Sequence, residues 1–204
     1  MYTDATCTDG PGCNYLQSLS QVCGDIIFTR YSDKVARTFT RAGRKVYRYH
    51  FSHTPTTSLL DYPPWAKAIH SEDLVFVFGL PLVAQDEDDF TEEEVEMSIR
   101  IINYWANLAK TGNPNLSSLD AELTDEEKRT EWPMFTVEGL EYKDLAPEML
   151  NGRGIKAREC RFWNEFIPEL IETIEDARKD RKVSSSYVDG HGSDSCTEET
   201  CPED

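Results

Sequence analysis

The chain has 204 residues, 39% of them hydrophobic, 11% aromatic and 29% charged, with a formal net charge of −17. That balance suits a folded chain long enough to bury about 70% of its unfolded surface, and not a disordered one. The acidity argues against nucleic acid or an anionic membrane as a partner, and no apolar run approaches the ~18 residues of a membrane-spanning helix.

Residues 1–14 are rich in Gly, Pro, Thr and Asp and read as loop. They have neither a basic start nor an apolar stretch, so they are not a secretory signal. Cys7 and Cys13 bracket a small turn without a second Cys or His pair at zinc-ligand spacing. A local disulfide and an unpaired role both stay open for them. Residues 15–42 carry Leu16, Leu19, Val22, Ile26, Ile27, Val35 and Phe39 at helical spacing, with a break expected at Gly24 and a stop at Gly43. Arg30, Lys34, Arg37, Arg41, Arg44 and Lys45 lie about one turn apart and read as a solvated helix face, since no nucleic-acid recognition motif accompanies them. Residues 46–52 are β-branched and aromatic and predict a strand. His50 within it and His53 behind it read as packed or solvated side chains. Residues 54–64, rich in Thr, Ser and Pro, form a loop.

The stretch from Trp65 to Leu82 is the most informative. His70 follows an apolar-to-polar switch, Glu72 and Asp73 come next, and Leu74-Val75-Phe76-Val77-Phe78 is stopped by Gly79 and Pro81. So short and bulky a run predicts a buried segment, with His70 at the mouth of a core element. An imidazole there can titrate near neutral pH and carry a proton. Thr91 and Glu94 form a capping box, and the acids Glu92, Glu93 and Glu94 read as a solvated helix start. Val95, Ile99, Ile102, Trp105, Ala106 and Ala109 follow as the expected core face, and Gly112 and Pro114 close the helix. Asn115-Leu116-Ser117 is a glycosylation sequon at the exposed end of that helix.

Residues 116–131 read as a polar loop and 140–146 as a short strand. Residues 157–180 read as a helix kinked at Pro168, with Cys160, Trp163, Ile167, Leu170, Ile171 and Ile174 near one face. Beyond Val183 there is no Lys or Arg, and Ser, Asp, Gly and Glu dominate. The boundaries expected are therefore a folded part over 1–182 and an acidic, disordered tail over 183–204. Cysteines at 7, 13, 23, 160, 196 and 201 make an even count, compatible with disulfides and secretion. A signal peptide would then lie upstream of Met1.

The His70 stretch resembles the histidine loop of the type-B carboxylesterase and cholinesterase family. There the catalytic His is followed by a small residue, a variable residue, an acid and an aromatic-rich VFG segment, matched here by His70, Ser71, Glu72, Asp73 and Phe76-Val77-Phe78-Gly79. Three more blocks agree in order. Asn103-Tyr104-Trp105-Ala106-Asn107 through Thr111-Gly112-Asn113-Pro114 resembles a YWxNFAKTGNPN pattern, Trp132-Pro133 with Phe135 a WPxF block, and Cys160 through Trp163 with Phe166 and Pro168 a CxFWxxFxP block. The resemblance runs from about Asp9 to about Leu170 and covers only the last part of the family's domain. It implies an α/β class: the C-terminal portion of an α/β-hydrolase fold, helix-rich with a few sheet strands.

The resemblance also implies roles. His70 is the expected general base of a Ser-Glu/Asp-His triad, and neither cofactor nor metal is implied. The family's G-x-S-x-G elbow is absent; Gly190-His191-Gly192-Ser193 in the tail is the nearest string. Nucleophile, oxyanion glycines and triad acid precede the matched region, so residues 1–204 alone should not hydrolyse esters, and an uncovered sheet edge and helix-packing face should favour aggregation. Cholinesterases place a gorge tryptophan where Tyr62 stands and a gorge tyrosine where Glu72 stands. Both differences point to a broader carboxylesterase or a non-catalytic relative. In the family the cysteine at Cys160 pairs with one whose place Arg30 takes here, and Cys23 substitutes only if its segment rearranges, because about 10 Å of helix separates the two positions. That rearranged pairing is the expectation. Cys196 or Cys201 could link a homodimer or close a tail disulfide.

Three readings follow: the C-terminal part of a secreted ester hydrolase acting on a small-molecule ester; the matching part of a non-catalytic adhesion or partner-binding ectodomain; and a free-standing small protein that binds through its acidic tail.

Overall fold

The computed structural model describes residues 15–58, 60–84, 89–118, 122–123, 128 and 130–189. The first of these fold as helix: α1 (Tyr15–Gly24), a π-helical turn (Asp25–Thr29) and α2 (Arg30–Arg41). Gly24 keeps ordinary right-handed dihedrals, φ −59° and ψ −43°, so no break occurs there. The irregularity falls one residue later. The Arg30 backbone N–H reaches back to the Asp25 carbonyl, and the Arg30 Nε donates to the Ile26 carbonyl at 2.8 Å. Gly43 ends α2 as expected, at φ +72°, with Arg44 N–H donating to Phe39 O at 3.0 Å and Gly43 N–H to Thr40 O at 2.9 Å. This is the paired closure that a left-handed glycine makes possible.

Three strands form one sheet in the order β1 (Tyr49–Phe51), β2 (Glu141–Leu145), β3 (Asn151–Arg153). β1 runs parallel to β2, with Tyr49 opposite Lys143 and His50 opposite Asp144; β3 runs antiparallel to β2. Between β1 and β2 the chain supplies α3 (Asp73–Val77) and α4 (Glu92–Thr111). The core they close contains Val75, Phe76, Phe90, Met97, Ile101, Leu145 and Met149. Beside it Trp132 is ringed by Tyr47, Tyr49, Tyr104 and Trp105 at 5.3–6.5 Å between ring centroids, and its indole Nε1 donates to Arg48 O at 2.8 Å.

Two sequence expectations shift here. Of the bulky run before Gly79, Val75 and Phe76 are buried while Leu74 is 43% and Phe78 80% exposed, because the segment is a single short helix that offers one face to the core. On α4 the buried residues are Glu94, Met97, Ser98 and Ile101, not the expected face; Ile99 is exposed. The helix carries apolar side chains on more than one side, and the inward side is the one whose polar members find partners. Ser98 Oγ donates to Phe76 O at 2.8 Å, and Glu94 is fully engaged as described below.

The chain divides into two units, one ending at Cys160 and one beginning at Arg161. A short helix, α5 (Ala157–Arg161), leads to a second π-turn (Phe162–Phe166) and then α6 (Ile167–Asp189). This π-turn lies directly before Pro168, where the kink was expected: the Ile167 N–H reaches Phe162 O one residue ahead of the proline that cannot donate. Helix also continues past residue 182, to Asp189, where the sequence suggested disorder. Leu170, Ile171 and Ile174 are exposed on α6. Cys7, Cys13, Cys196, Cys201 and the Gly190–Ser193 string lie outside the described residues.

Candidate active site

The segment that carries His70 is shaped by its backbone. A 3-10 turn (Pro64–Ala66) leads to Lys67 at φ 54°, and Ser71 sits at φ +75°, a left-handed conformation uncommon for a residue other than glycine. Glu72 N–H donates to Ile69 O at 3.3 Å and closes the turn immediately before α3. His70 is exposed at its crest. Its ring stacks on Phe28, with centroids 4.3 Å apart and planes 24° from parallel. Neither ring nitrogen has a hydrogen-bond partner among the described residues.

The two acids after His70 are structural. Asp73 accepts from the Tyr49 hydroxyl at 2.9 Å, and burial, followed by the Asp73 charge, pushes that phenol well above its ordinary range. Glu72 is buried, with Oε1 accepting from Ser58 Oγ; its Oε2 is buried without a partner among the described residues. Together they tie the turn to β1 on one side and to the 53–58 loop on the other.

The other two described histidines do meet carboxylates. His53 Nε2 lies 2.7 Å from Glu94 Oε1, which also accepts from Thr56 N–H at 2.8 Å, while Oε2 accepts from Thr91 N–H at 2.9 Å. Glu94 is 1% exposed, so the predicted solvated helix start is corrected: the capping glutamate is drawn inwards and staples the loop behind β1 to α4. Burial raises its pKa, but the hydrogen bonds from His53, Thr91 and Thr56 outweigh that and hold the carboxyl below its ordinary value. His50 Nδ1 lies 3.3 Å from Asp144 across the β1–β2 pair. The first pair is built into the cap of α4 and the second spans neighbouring strands, so both read as structural.

Elsewhere the charges are used for packing. Asp33 on α2 binds Arg37 Nε at 2.7 Å and Arg48 Nη1 at 3.1 Å, and Asp25 binds Lys156 Nζ at 3.2 Å. Cys23 is an exposed free thiol and Cys160 a buried one, so the expected Cys23–Cys160 pairing is corrected. No rearrangement brings them together; Cys160 Sγ instead donates to Thr29 O at 3.8 Å, and burial pushes its pKa up to about 11. A cleft of about 370 Å³ includes Arg100, Asn103, Tyr104 and Asn115 in its wall but not His70. Asn115, the sequon residue, is not a free exposed amide. Its Nδ2 donates to Asn113 Oδ1 at 3.1 Å and Trp132 O at 3.0 Å, and its Oδ1 accepts from Trp132 N–H at 2.7 Å. No group of three or more His, Cys, Asp or Glu side chains placed to hold a metal ion occurs among the described residues, and none of the described helices is long and apolar enough to cross a membrane.

The profile of the carboxylesterase family matches residues 1–163. The chain belongs to the carboxylesterase family. It is 34% identical to an acetylcholinesterase of Gallus gallus over 195 residues, covering 92% of this chain and 24% of that relative. With an acetylcholinesterase of Electrophorus electricus the identity is 38% over 151 residues, 70% of this chain and 23% of the relative. Acetylcholinesterase 1 of Caenorhabditis elegans is 32% identical over 169 residues, 80% of this chain and 26% of the relative. The chain thus spans about a quarter of the length of these curated relatives. Its fold class is that of the carboxylesterase family, the α/β-hydrolase, represented here by a helix-rich part with a three-stranded sheet.

Proposed function

We propose that this chain is the histidine-bearing C-terminal part of a serine carboxylic ester hydrolase, with His70 as its general base. The observation that carries the reading is the state of His70: exposed on a fixed turn, one ring face against Phe28, and both nitrogens free to receive partners. A triad histidine needs that freedom. One nitrogen takes the serine proton as the oxygen attacks the ester carbonyl carbon, and then returns it to the departing alcohol; the other donates to the triad acid, which fixes the tautomer. The serine, the acid and the oxyanion donors belong, in this reading, to the part of the family's domain that the chain does not span. Tyr62 and Glu72, at positions where cholinesterases carry gorge aromatics, favour a broader ester specificity over a choline-selective one.

The test is direct. The transcript upstream of the Met1 codon is expected to continue into a G-x-S-x-G elbow, and the longer protein to hydrolyse p-nitrophenyl acetate and react with a fluorophosphonate. His70→Gln should then lower kcat by about 10⁴-fold or more. Residues 1–204 alone should give no turnover above buffer. Hydrolysis by either form that His70→Gln leaves intact would overturn the proposal.

A further inference from the structure

We propose that Phe28 is a positioning residue for His70, and that the π-turn Asp25–Thr29 presents its ring to the imidazole. The inference rests on the reading of His70 as general base. A single π-turn inside an α-helix is rare and occurs mainly at functional sites, because the extra residue rotates the chain before it by about 100° relative to the helix after it. Here the widened turn is pinned on several sides. Asp25, which opens it, is buried against Lys156 Nζ at 3.2 Å. Thr29 O, which closes it, accepts from Cys160 Sγ at 3.8 Å, and Arg30 Nε holds the Ile26 carbonyl at 2.8 Å. Phe28 nevertheless remains half-exposed, so the core does not account for its place.

The backbone on the other side is equally fixed. Ser58 Oγ grips Glu72, and the Tyr49 hydroxyl binds Asp73. What is left free at His70 is rotation of its ring about two bonds. Beyond the bond to the triad acid, a further hydrogen bond could limit that rotation only by occupying the nitrogen that takes the serine proton. A stacked phenyl ring stops it from the face and leaves both in-plane nitrogens open, one towards a serine and one towards an acid. The 4.3 Å separation and 24° tilt of the two rings suit this role.

Two measurements test the inference. In the longer protein with ring-labelled histidine, the His70 resonance should be displaced upfield by the Phe28 ring current; Phe28→Leu should abolish the displacement and Phe28→Tyr keep it. Absence of the displacement in the wild-type chain overturns the proposal, even where a Phe28 variant fails to fold. In the longer, hydrolytically competent protein, Phe28→Leu should lower kcat between about tenfold and 10²-fold with KM little changed, and Phe28→Tyr should restore it. An unchanged kcat in Phe28→Leu, or an equal loss in both variants, overturns it. Activity that survives His70→Gln is a different outcome: it removes the general-base reading, and the role of Phe28 in proton transfer with it, while the ring-current result still reports whether the stack exists.

Discussion

Lys143 shows how far a single residue can depart from its sequence signature. It lies on β2 with no exposed surface, and its Nζ donates to Thr130 O at 2.7 Å and Asn151 Oδ1 at 3.0 Å, both neutral acceptors. Burial first, and the Arg100 charge second, push its pKa down to about 8 from an ordinary 10.5. Between those two values the unfolded chain binds more protons than the folded one, so stability gains from this group as pH rises from 8 towards 10.5. The denaturant midpoint of the wild-type chain is expected to climb, relative to that of Lys143→Met, across the same window; parallel pH profiles would refute it. Nothing in the pattern Glu-Tyr-Lys-Asp-Leu marks the lysine as the inward residue, because strand alternation assigns two faces without saying which is covered. Asn115 teaches the same lesson from the other side. The sequon was legible, but the bridge to Trp132, which uses the amide oxygen and one amide donor while the other donor goes to Asn113, is a tertiary contact that no local motif encodes. His70 stood out as a candidate base only because the blocks around it resemble a family; Phe28, far from it in the chain, was not singled out.

Among elements, those with local causes were readable. The α2 stop at Gly43, the Thr91–Glu94 capping box and the α4 end at Gly112 all appear where the sequence placed them. What depended on long-range partners was not. Glu94 was assigned to solvent from its helix-start position, and His53, which draws it inwards, stands 41 residues away. This staple has a measurable pH signature. A carboxyl held below its ordinary 4.5 contributes stability that is complete above that value and is lost as pH falls through its lowered native value. Glu94→Gln is therefore expected to cost about 1–3 kcal/mol at pH 7, since buried donors lose a charged acceptor. The gap from wild type should narrow as the medium is acidified below pH ~4.5. Urea denaturation at several pH values checks this, and a gap that stays constant into acid would count against the staple. Both π-turns escaped prediction for a similar reason: a widened turn is selected by what grips its ends, such as Lys156 on Asp25, and not by its own residues.

At the scale of the whole molecule, apolar periodicity reports which side of a helix is greasy and not whether anything covers it. Leu16, Leu19, Ile27, Val35 and Phe39 were read at helical spacing and are exposed along α1, the π-turn and α2, while Leu170, Ile171 and Ile174 are exposed on α6. The sheet has a further consequence, and it concerns time. β2 and β3 are joined by a tight turn, in which Met149 N–H donates to Ala146 O at 2.9 Å, whereas β1 must find β2 across α3, α4 and the whole Trp132 segment. Local pairings form before distant ones because the closure entropy of the long connection has to be met first. Pulsed hydrogen exchange during refolding should accordingly protect the amides of the β2–β3 hairpin and of α4 before those of β1; simultaneous protection would contradict it. The turn of His70 hangs between β1 and α3, so the candidate base acquires its fixed position only when the last strand docks.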